Sequence, residues 1–333
     1  MELKSKSSNF IIVVGASAGG LHGVVELSAQ LPADLNAAVF VVIHMSHSFD
    51  SSSLIKRIGE YSGLRCKIAE HGEMIQMGYL YLAVSDKHLL VKDEKILLAR
   101  GPVENRWRPS IDTLFRSAAA AYNSRVIGVI LSSLLQGGTA GMTAIKKSGG
   151  TCIVQYPAQA EYPDMPNSVL ENVAVDYCVP LHEIGTIIKE ATKDGIPKPH
   201  IVPQIVKAES EIAERTIVDM DILKDIGTHT VFTCPDCGGG LWQLKNDNFT
   251  RYRCHTGHVY TQEEFERKHK EALESTLWVA LRMLEERKQL MEKMSREETS
   301  KGWIQQAERK MERAIELKSH IDRLKQLLFD AQD

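Results

Sequence analysis

The chain has 333 residues, 43% of them hydrophobic, and a formal net charge of −3. That length holds two domains and a sizeable core, while the charge offers no bulk attraction for nucleic acid. No run of about 18 or more apolar residues occurs, so membrane insertion is not expected.

The first element is "FIIVVGASAGGLHGV", from Phe10 to Val24, an apolar strand-like run that breaks into a glycine-rich turn and resumes with helical character. Such a turn suits either a dinucleotide phosphate at a helix N-terminus or a Gly-x-Ser-x-Gly elbow presenting Ser17. Lys4 and Lys6 ahead of it imitate a short signal peptide, but the apolar core is too short, and Ser17, Gly19 and Gly20 read better as a folded motif. The second strand, "AVFVVIH", separates the two readings. A dinucleotide site needs an acidic residue near that strand's end, and here the strand ends in His44. In a parallel sheet, Ser17 and His44 emerge on the same carboxyl edge as a nucleophile and its base.

Further strand-like runs, "YLYLAV", "HLLVKD", "VIGVILS" and "TCIVQ", alternate with helical stretches to about residue 190. The alternation predicts an α/β fold, a doubly wound, mostly parallel, Rossmann-like sheet over residues 1–192. Cys66, Cys152 and Cys178 are scattered through it, and without a secretory signal they read as reduced thiols of a cytoplasmic protein. Within it, "ENRWRPSIDTLFRSA" offers Arg106 and Arg108 to an acidic partner segment through bidentate hydrogen bonds. The same stretch also reads as the cap of the helix carrying Leu114 and Phe115, with Pro109 in its first turn. His47, His71 and His88 read as ordinary hydrogen-bonded or surface histidines.

Proline-rich residues 193–204 end the pattern, and 193–229 is expected as linker. Residues 230–260 are expected as a compact unit: Cys234 and Cys237 with two residues between them, then sixteen intervening residues, then Cys254 and His258 with three between them. That is the spacing of a zinc ribbon, four ligands closing a tetrahedron around a structural ion, with His255 the rival for the fourth position. From 261 to 333, apolar residues recur at spacings of three and four or their sum: Leu273, Leu277, Leu281, Leu284, Met291 and Met294, then Ile304, Ala307, Met311, Ala314, Ile321, Leu324 and Leu328. Two amphipathic helices follow, with "REETSKG" as their turn. An antiparallel hairpin and a coiled coil that would join chains into a homo-oligomer are both open.

At "GASAGGL", "VVIHMSHSF", "GPVENRWRPSIDTLFRSAA", "GGTAGM" and "YPAQAEYPDMPNSVLE" the chain resembles the CheB family, the protein-glutamate methylesterases and glutamine deamidases of chemotaxis, over about residues 9–190. The resemblance implies a serine hydrolase that needs no catalytic cofactor and acts on glutamate side chains of a helical chemoreceptor or a similar methylated signalling protein. Carried over, Ser17 is the nucleophile and His44 its base. Backbone amides near Ala18 and Gly19 would hold the oxyanion. The C-terminal part looks like an extension found on family members lacking a receiver domain, which would leave no phosphoryl-aspartate control within the chain.

Two positions depart from the family pattern. The third triad member is an aspartate in a loop written Asp-Gly-x-x-Gly, but "LLQGGTAGM" puts Gly137 there, after Gln136. Asp50 and Asp112 are other carboxylates that could approach His44. Tyr156 stands where the family often has aspartate. Gly137 therefore leaves two expectations: a hydrolase with weakened chemistry, or a silent receptor-binding adaptor that signals through the metal unit and helices.

Overall fold

The computed structural model describes residues 9–17, 19–44, 51–133, 137–193, 195, 197–215, 220–245 and 247–330. Its first strands are β1 Phe10–Ala16, β2 Ala37–Ile43, β3 Arg65–Ile68 and β4 Tyr79–Leu82, with helices α1 Gly20–Gln30 and α2 Ser51–Tyr61 between them. An antiparallel hairpin of β5 His88–Lys92 and β6 Lys95–Ala99 precedes α3 Ile111–Tyr122. Then come β7 Val126–Ile130, α4 Thr139–Lys147, β8 Thr151–Gln155, α5 Asp164–Asn172, β9 Tyr177–Val179 and α6 Leu181–Lys193.

Seven of these strands form one sheet in the order β3-β4-β2-β1-β7-β8-β9, every pair parallel. Alternation along β1 explains the two-sided core. Ile11 and Val13 face one side, with Ile111, Leu114 and Phe115 of α3, Met142 of α4 and Met165 of α5. Phe10, Ile12 and Val14 face the other, with Val24 of α1, Ile58 of α2 and Ile184 of α6. Strands buried on both faces read as continuous apolar runs, as "FIIVV" does. The doubly wound parallel sheet is thus the observed fold. "HLLVKD" is the exception: it forms the β5–β6 hairpin outside the main sheet.

The stretch expected as linker is largely helical: α7 Gln204–Arg215 joins the core on one face of the main sheet through Val206, and α8 Met220–Ile226 follows. Strands β10 Gly227–Thr233, β11 Gly240–Leu244, β12 Arg251–Cys254 and β13 Val259–Thr261 make an antiparallel four-stranded sheet in chain order. Residues up to Gln262 form one compact unit, and residues from Glu263 onward form another.

The second unit is two helices, α9 Gln262–Ser300 and α10 Ile304–Asp330. They pair as a hairpin within the chain: Leu281, Ile321 and Leu328 pack together, Ser295 Oγ donates to the Ala307 carbonyl at 2.8 Å, and Lys325 bridges Glu285 at 3.2 Å. The turn is shorter than expected, because α9 continues through "REETS". Gly302 at φ 80° reverses the chain. Among the described residues no helix is long and apolar enough to cross a membrane.

Candidate active site and candidate metal centre

Strand order reverses at β1, where β2 lies on one side and β7 on the other, and open α/β sheets bind ligands at the carboxyl edge of such a switch point. Ser17 follows β1 directly and His44 follows β2. Both are buried. The His44 amide donates to the Ala16 carbonyl at 3.0 Å, and the Ser17 amide to the Ser132 carbonyl at 3.4 Å, so three strand ends are tied at one place. Gly19, at φ 73°, opens α1, and the Gly20 amide turns back to the Ser17 carbonyl at 2.8 Å. A side chain at Gly19 would strike the Glu161 carboxylate, since a Cβ there lies 2.6 Å from Oε2. Ala18, Gln136, His47 and Asp50 lie outside the described residues.

His44 is held by shape. Its ring stacks on Trp107 with centroids 4.5 Å apart and planes within 5°. Gly137 abuts the ring: a Cβ built there would lie 3.0 Å from His44 Cε1 and 3.8 Å from Nδ1. Neither ring nitrogen has a hydrogen-bond partner among the described residues. Burial accordingly pushes the imidazole down to about 3, with no charged group countering it. His44 is therefore neutral at physiological pH, the form that accepts a proton, but its cation is poorly supported.

Asp112 has other employment. One carboxylate oxygen accepts the Gly141 amide of the first turn of α4 at 2.7 Å, and the other accepts Asn105 Nδ2 at 3.1 Å. Arg108 spends its guanidinium on Asp86, at 2.9 Å from Nε, and on the Gly101 carbonyl at 2.8 Å. Arg106 is exposed. Pro109 precedes the N-cap Ser110 of α3 and so lies outside the helix rather than in its first turn. His88 accepts the Ser110 amide at Nδ1, 3.2 Å, which leaves Nε2 to donate to the Pro102 carbonyl at 2.8 Å. Tyr156 is exposed beyond the end of β8.

The small sheet brings the Cys234, Cys237 and Cys254 sulfurs and a His258 ring nitrogen within 4.8 Å of one another. Individual separations are 3.8 Å for Cys237 Sγ to Cys254 Sγ, 3.4 Å for Cys254 Sγ to His258 Nδ1 and 3.7 Å for Cys234 Sγ to His258 Nδ1. A zinc tetrahedron with bonds of about 2.3 Å to sulfur and about 2.0 Å to nitrogen has edges of about 3.8 and about 3.5 Å, so the donor set fits that ion. His255 lies outside this group and packs against Gly239.

Sequence reasoning missed how this sheet meets the parallel-sheet part of the chain. Asn105 donates its amide to the Val259 carbonyl of β13 and accepts the Thr261 amide at its side chain, both at 3.0 Å. Beneath lies a buried ionic cluster. Glu104 pairs with Arg116 of α3 and with Arg253 of β12 at 3.2 Å. Glu209 of α7 pairs with Arg253 and Arg251, each at 2.9 Å, and Arg251 also holds Asp247. Burial alone would raise the Glu104 pKa, but Arg116 and Arg253 outweigh it and hold the carboxyl down at about 2. Glu209 is likewise lowered, by Arg251, Arg116 and Arg253 against its burial. Charged residues in "RYRC" read as surface in a sequence, and only the alternation of β12, which puts Arg251 and Arg253 on one face, hinted otherwise.

Residues 12–188 match the family described as CheB methylesterase. A protein-glutamate methylesterase/protein-glutamine glutaminase 2 from Methanosarcina acetivorans is 35% identical over 191 residues, covering 55% of this chain and 53% of that protein. A putative protein-glutamate methylesterase/protein-glutamine glutaminase from Leptospira interrogans is 34% identical over 177 residues, covering 53% of this chain and 91% of that protein. The chain thus spans about half the length of the first relative and most of the second. The crystal structure of the Thermotoga maritima CheB methylesterase catalytic domain superposes with a TM-score of 0.54 at 33% identity, covering 56% of this chain and all of that one.

Proposed function

The chain belongs to the CheB methylesterase family, and from that premise we propose that it is a serine carboxylic-ester hydrolase acting on glutamate side chains of a helical receptor or similar methylated signalling protein. The observation that supports the reading is that Ser17 and His44 follow adjacent parallel strands at one carboxyl edge, where the His44 amide bonds the Ala16 carbonyl at 3.0 Å; the two side chains are not hydrogen-bonded to each other, and substrate binding must close that gap. Ser17 Oγ attacks the ester carbonyl while His44 takes its proton. The oxyanion forms at the N-terminus of α1, beside the amides around Ala18 and Gly19. Methanol leaves with the proton from His44, or ammonia leaves from an amide. Water then enters by the same route, releasing the glutamate carboxylate and restoring Ser17. Arg106, exposed beside Trp107, suits acidic groups flanking the scissile ester.

Gly137 limits this chemistry. An imidazole at about 3 accepts the serine proton reluctantly, and no described carboxylate stabilises its cation. The same observation favours a second reading, a receptor-binding adaptor with a silent site. A fluorophosphonate probe together with turnover of a γ-methyl-glutamyl peptide decides between them. The hydrolase labels at Ser17, turns over slowly, and loses both with Ser17→Ala and most of both with His44→Ala. Labelling equal to wild type in Ser17→Ala removes the hydrolase assignment.

We assign Cys234, Cys237, Cys254 and His258 to a structural zinc ion. Four protein donors leave no open position, so such an ion stabilises a sheet too small for much core and takes no part in hydrolysis. The helical hairpin keeps Val279, Met283 and Leu290 exposed on α9, a face suited to association with a second copy.

A further inference from the structure

We infer that Trp107 is a positioning residue for His44, and that strand β13 of the small sheet holds it there through Asn105. The inference rests on the Ser17–His44 reading and deepens it.

Residues 104–107 form a two-residue hairpin: the Glu104 amide donates to the Trp107 carbonyl at 3.2 Å, and the Trp107 amide to the Glu104 carbonyl at 3.0 Å. Its two central residues are both left-handed, Asn105 at φ 47° and Arg106 at φ 76°. This is the type I′ arrangement, which glycine and asparagine adopt readily and arginine does not. A strained turn persists only where its surroundings over-determine it. Here they do so from the small sheet and from α3. Val259 accepts the Asn105 backbone amide and the Thr261 amide donates to its side-chain oxygen, Glu104 bridges to Val259 in parallel register, and Arg253 of β12 takes one Glu104 carboxylate oxygen, while Asp112 and Arg116 of α3 hold the Asn105 side-chain amide and the other Glu104 oxygen.

The output of that turn is the Trp107 ring on His44. With both ring nitrogens unpartnered among the described residues, the imidazole lacks the hydrogen bond that usually fixes a catalytic histidine. Its plane is instead set by the indole on one face and by Gly137 at its edge, where a side chain would meet Cε1 at 3.0 Å. The indole has a second use. When His44 takes the serine proton, the new cation stands 4.5 Å from an aromatic face whose quadrupole attracts it. Trp107 thereby takes over part of what a triad aspartate does, orienting the ring and supporting its charge. Because β13 holds the turn, the small sheet sets the geometry of a site outside it.

The test uses the full chain with Trp107→Ala, Trp107→Phe, Asn105→Gly and Asn105→Asp, read by kcat and KM on a γ-methyl-glutamyl peptide and by the His44 ring protons in a histidine-labelled NMR spectrum. Trp107→Ala should lower kcat by about 10- to 100-fold with KM unchanged, and should move the His44 protons downfield out of the indole's shielding. Trp107→Phe should recover most of both. Asn105→Gly keeps a left-handed turn without strain while cutting its side-chain ties to both Thr261 and Asp112, so it should shift the His44 protons partway and lower kcat in proportion, whereas Asn105→Asp, which keeps the oxygen that accepts the Thr261 amide, should shift them less; equal shifts in the two would overturn the assignment of the hold to β13. Unchanged kcat in Trp107→Ala would overturn the positioning role, and an unmoved His44 signal in Asn105→Gly would overturn the tether. If wild type shows no Ser17-dependent turnover, the hydrolase reading fails, while the NMR arm still decides whether Trp107 and β13 hold His44.

Discussion

Replacing Gly137 with aspartate should raise ester turnover by about 10²- to 10⁴-fold. Gly137 has no left-handed φ to forbid a side chain, and its Cβ would lie 3.8 Å from His44 Nδ1, within reach of a carboxylate oxygen carried two bonds farther on. The same Cβ would lie 3.0 Å from Cε1 and 3.6 Å from Met165 Cε, so the ring or the flexible methionine must yield a few tenths of an ångström. The gain follows from the imidazole's present state, at about 3 instead of 6.5. At about 1.4 kcal/mol per tenfold, restoring it makes the cation easier to form by about 5 kcal/mol. Proton transfer is partial at the transition state, so about half of that reaches the barrier, or about 10²-fold. Fixing the tautomer adds to it, up to the roughly 10⁴ lost when a serine protease triad aspartate is neutralised. We would follow peptide ester turnover, the His44 titration by NMR, and thermal stability together. A folded Gly137→Asp protein whose His44 titrates higher while turnover stays flat would refute the claim that cation formation limits the rate. An unmoved His44 titration would refute the geometry itself.

Other expectations concern the small sheet and the buried charges. Metal analysis should return about one zinc ion per chain, and chelation or Cys237→Ser should melt the β10–β13 sheet; a metal-free protein with the sheet's hydrogen-exchange protection intact would contradict this. Arg253→Met leaves Glu104 and Glu209 with less compensation and should cost about 3–5 kcal/mol in denaturant unfolding, with part recovered by adding Glu209→Gln. Glu104 is depressed on folding, so it contributes stability above its unfolded value of 4.5 and loses it as pH falls toward about 2. His44, depressed from 6.5 to about 3, adds a loss of stability as pH falls through that interval, because only the unfolded chain takes up its proton there. Melting temperatures across pH 7 to 3 should therefore decline, less steeply below pH 6.5 in His44→Phe.

The central strands were legible because burial on both faces leaves unbroken apolar runs, and Ser17 and His44 were legible because such strands deliver their next residues to one edge. β3, "RCKI", and β9, "YCV", were not, being short edge strands with exposed residues. "HLLVKD" read as one more parallel strand because the turn that makes it a hairpin, Asp93 and Glu94 at φ 50° and 62°, carries no glycine or asparagine to announce it. The turn at Asn105 and Arg106 has its asparagine, but Arg106 at φ 76° follows where glycine would announce a type I′ turn. Helix α7 lay behind prolines that suggested linker, although its amphipathic face packs on α3. The clustering of Cys234, Cys237, Cys254 and His258 was legible from spacing, since a Cys-x-x-Cys turn brings its thiols together locally. The Trp107–His44 stack and the six-residue ionic cluster depend on chain segments far apart in sequence, and no local pattern encodes them.

The tie between Asn105 and β13 also sets an order of events during synthesis. The main sheet is complete once β9 ends at Val179, but Val259 is made about eighty residues later. At about 5–20 residues per second, that gap lasts about 4–16 s. For those seconds a nascent chain can hold a finished parallel sheet, with Ser17 and His44 at its edge, while the turn that carries Trp107 has its ties to Asp112 and Arg116 of α3 but not yet those to Val259, Thr261 and Arg253. The site is completed last, by the segment that reaches it from the far side of the chain.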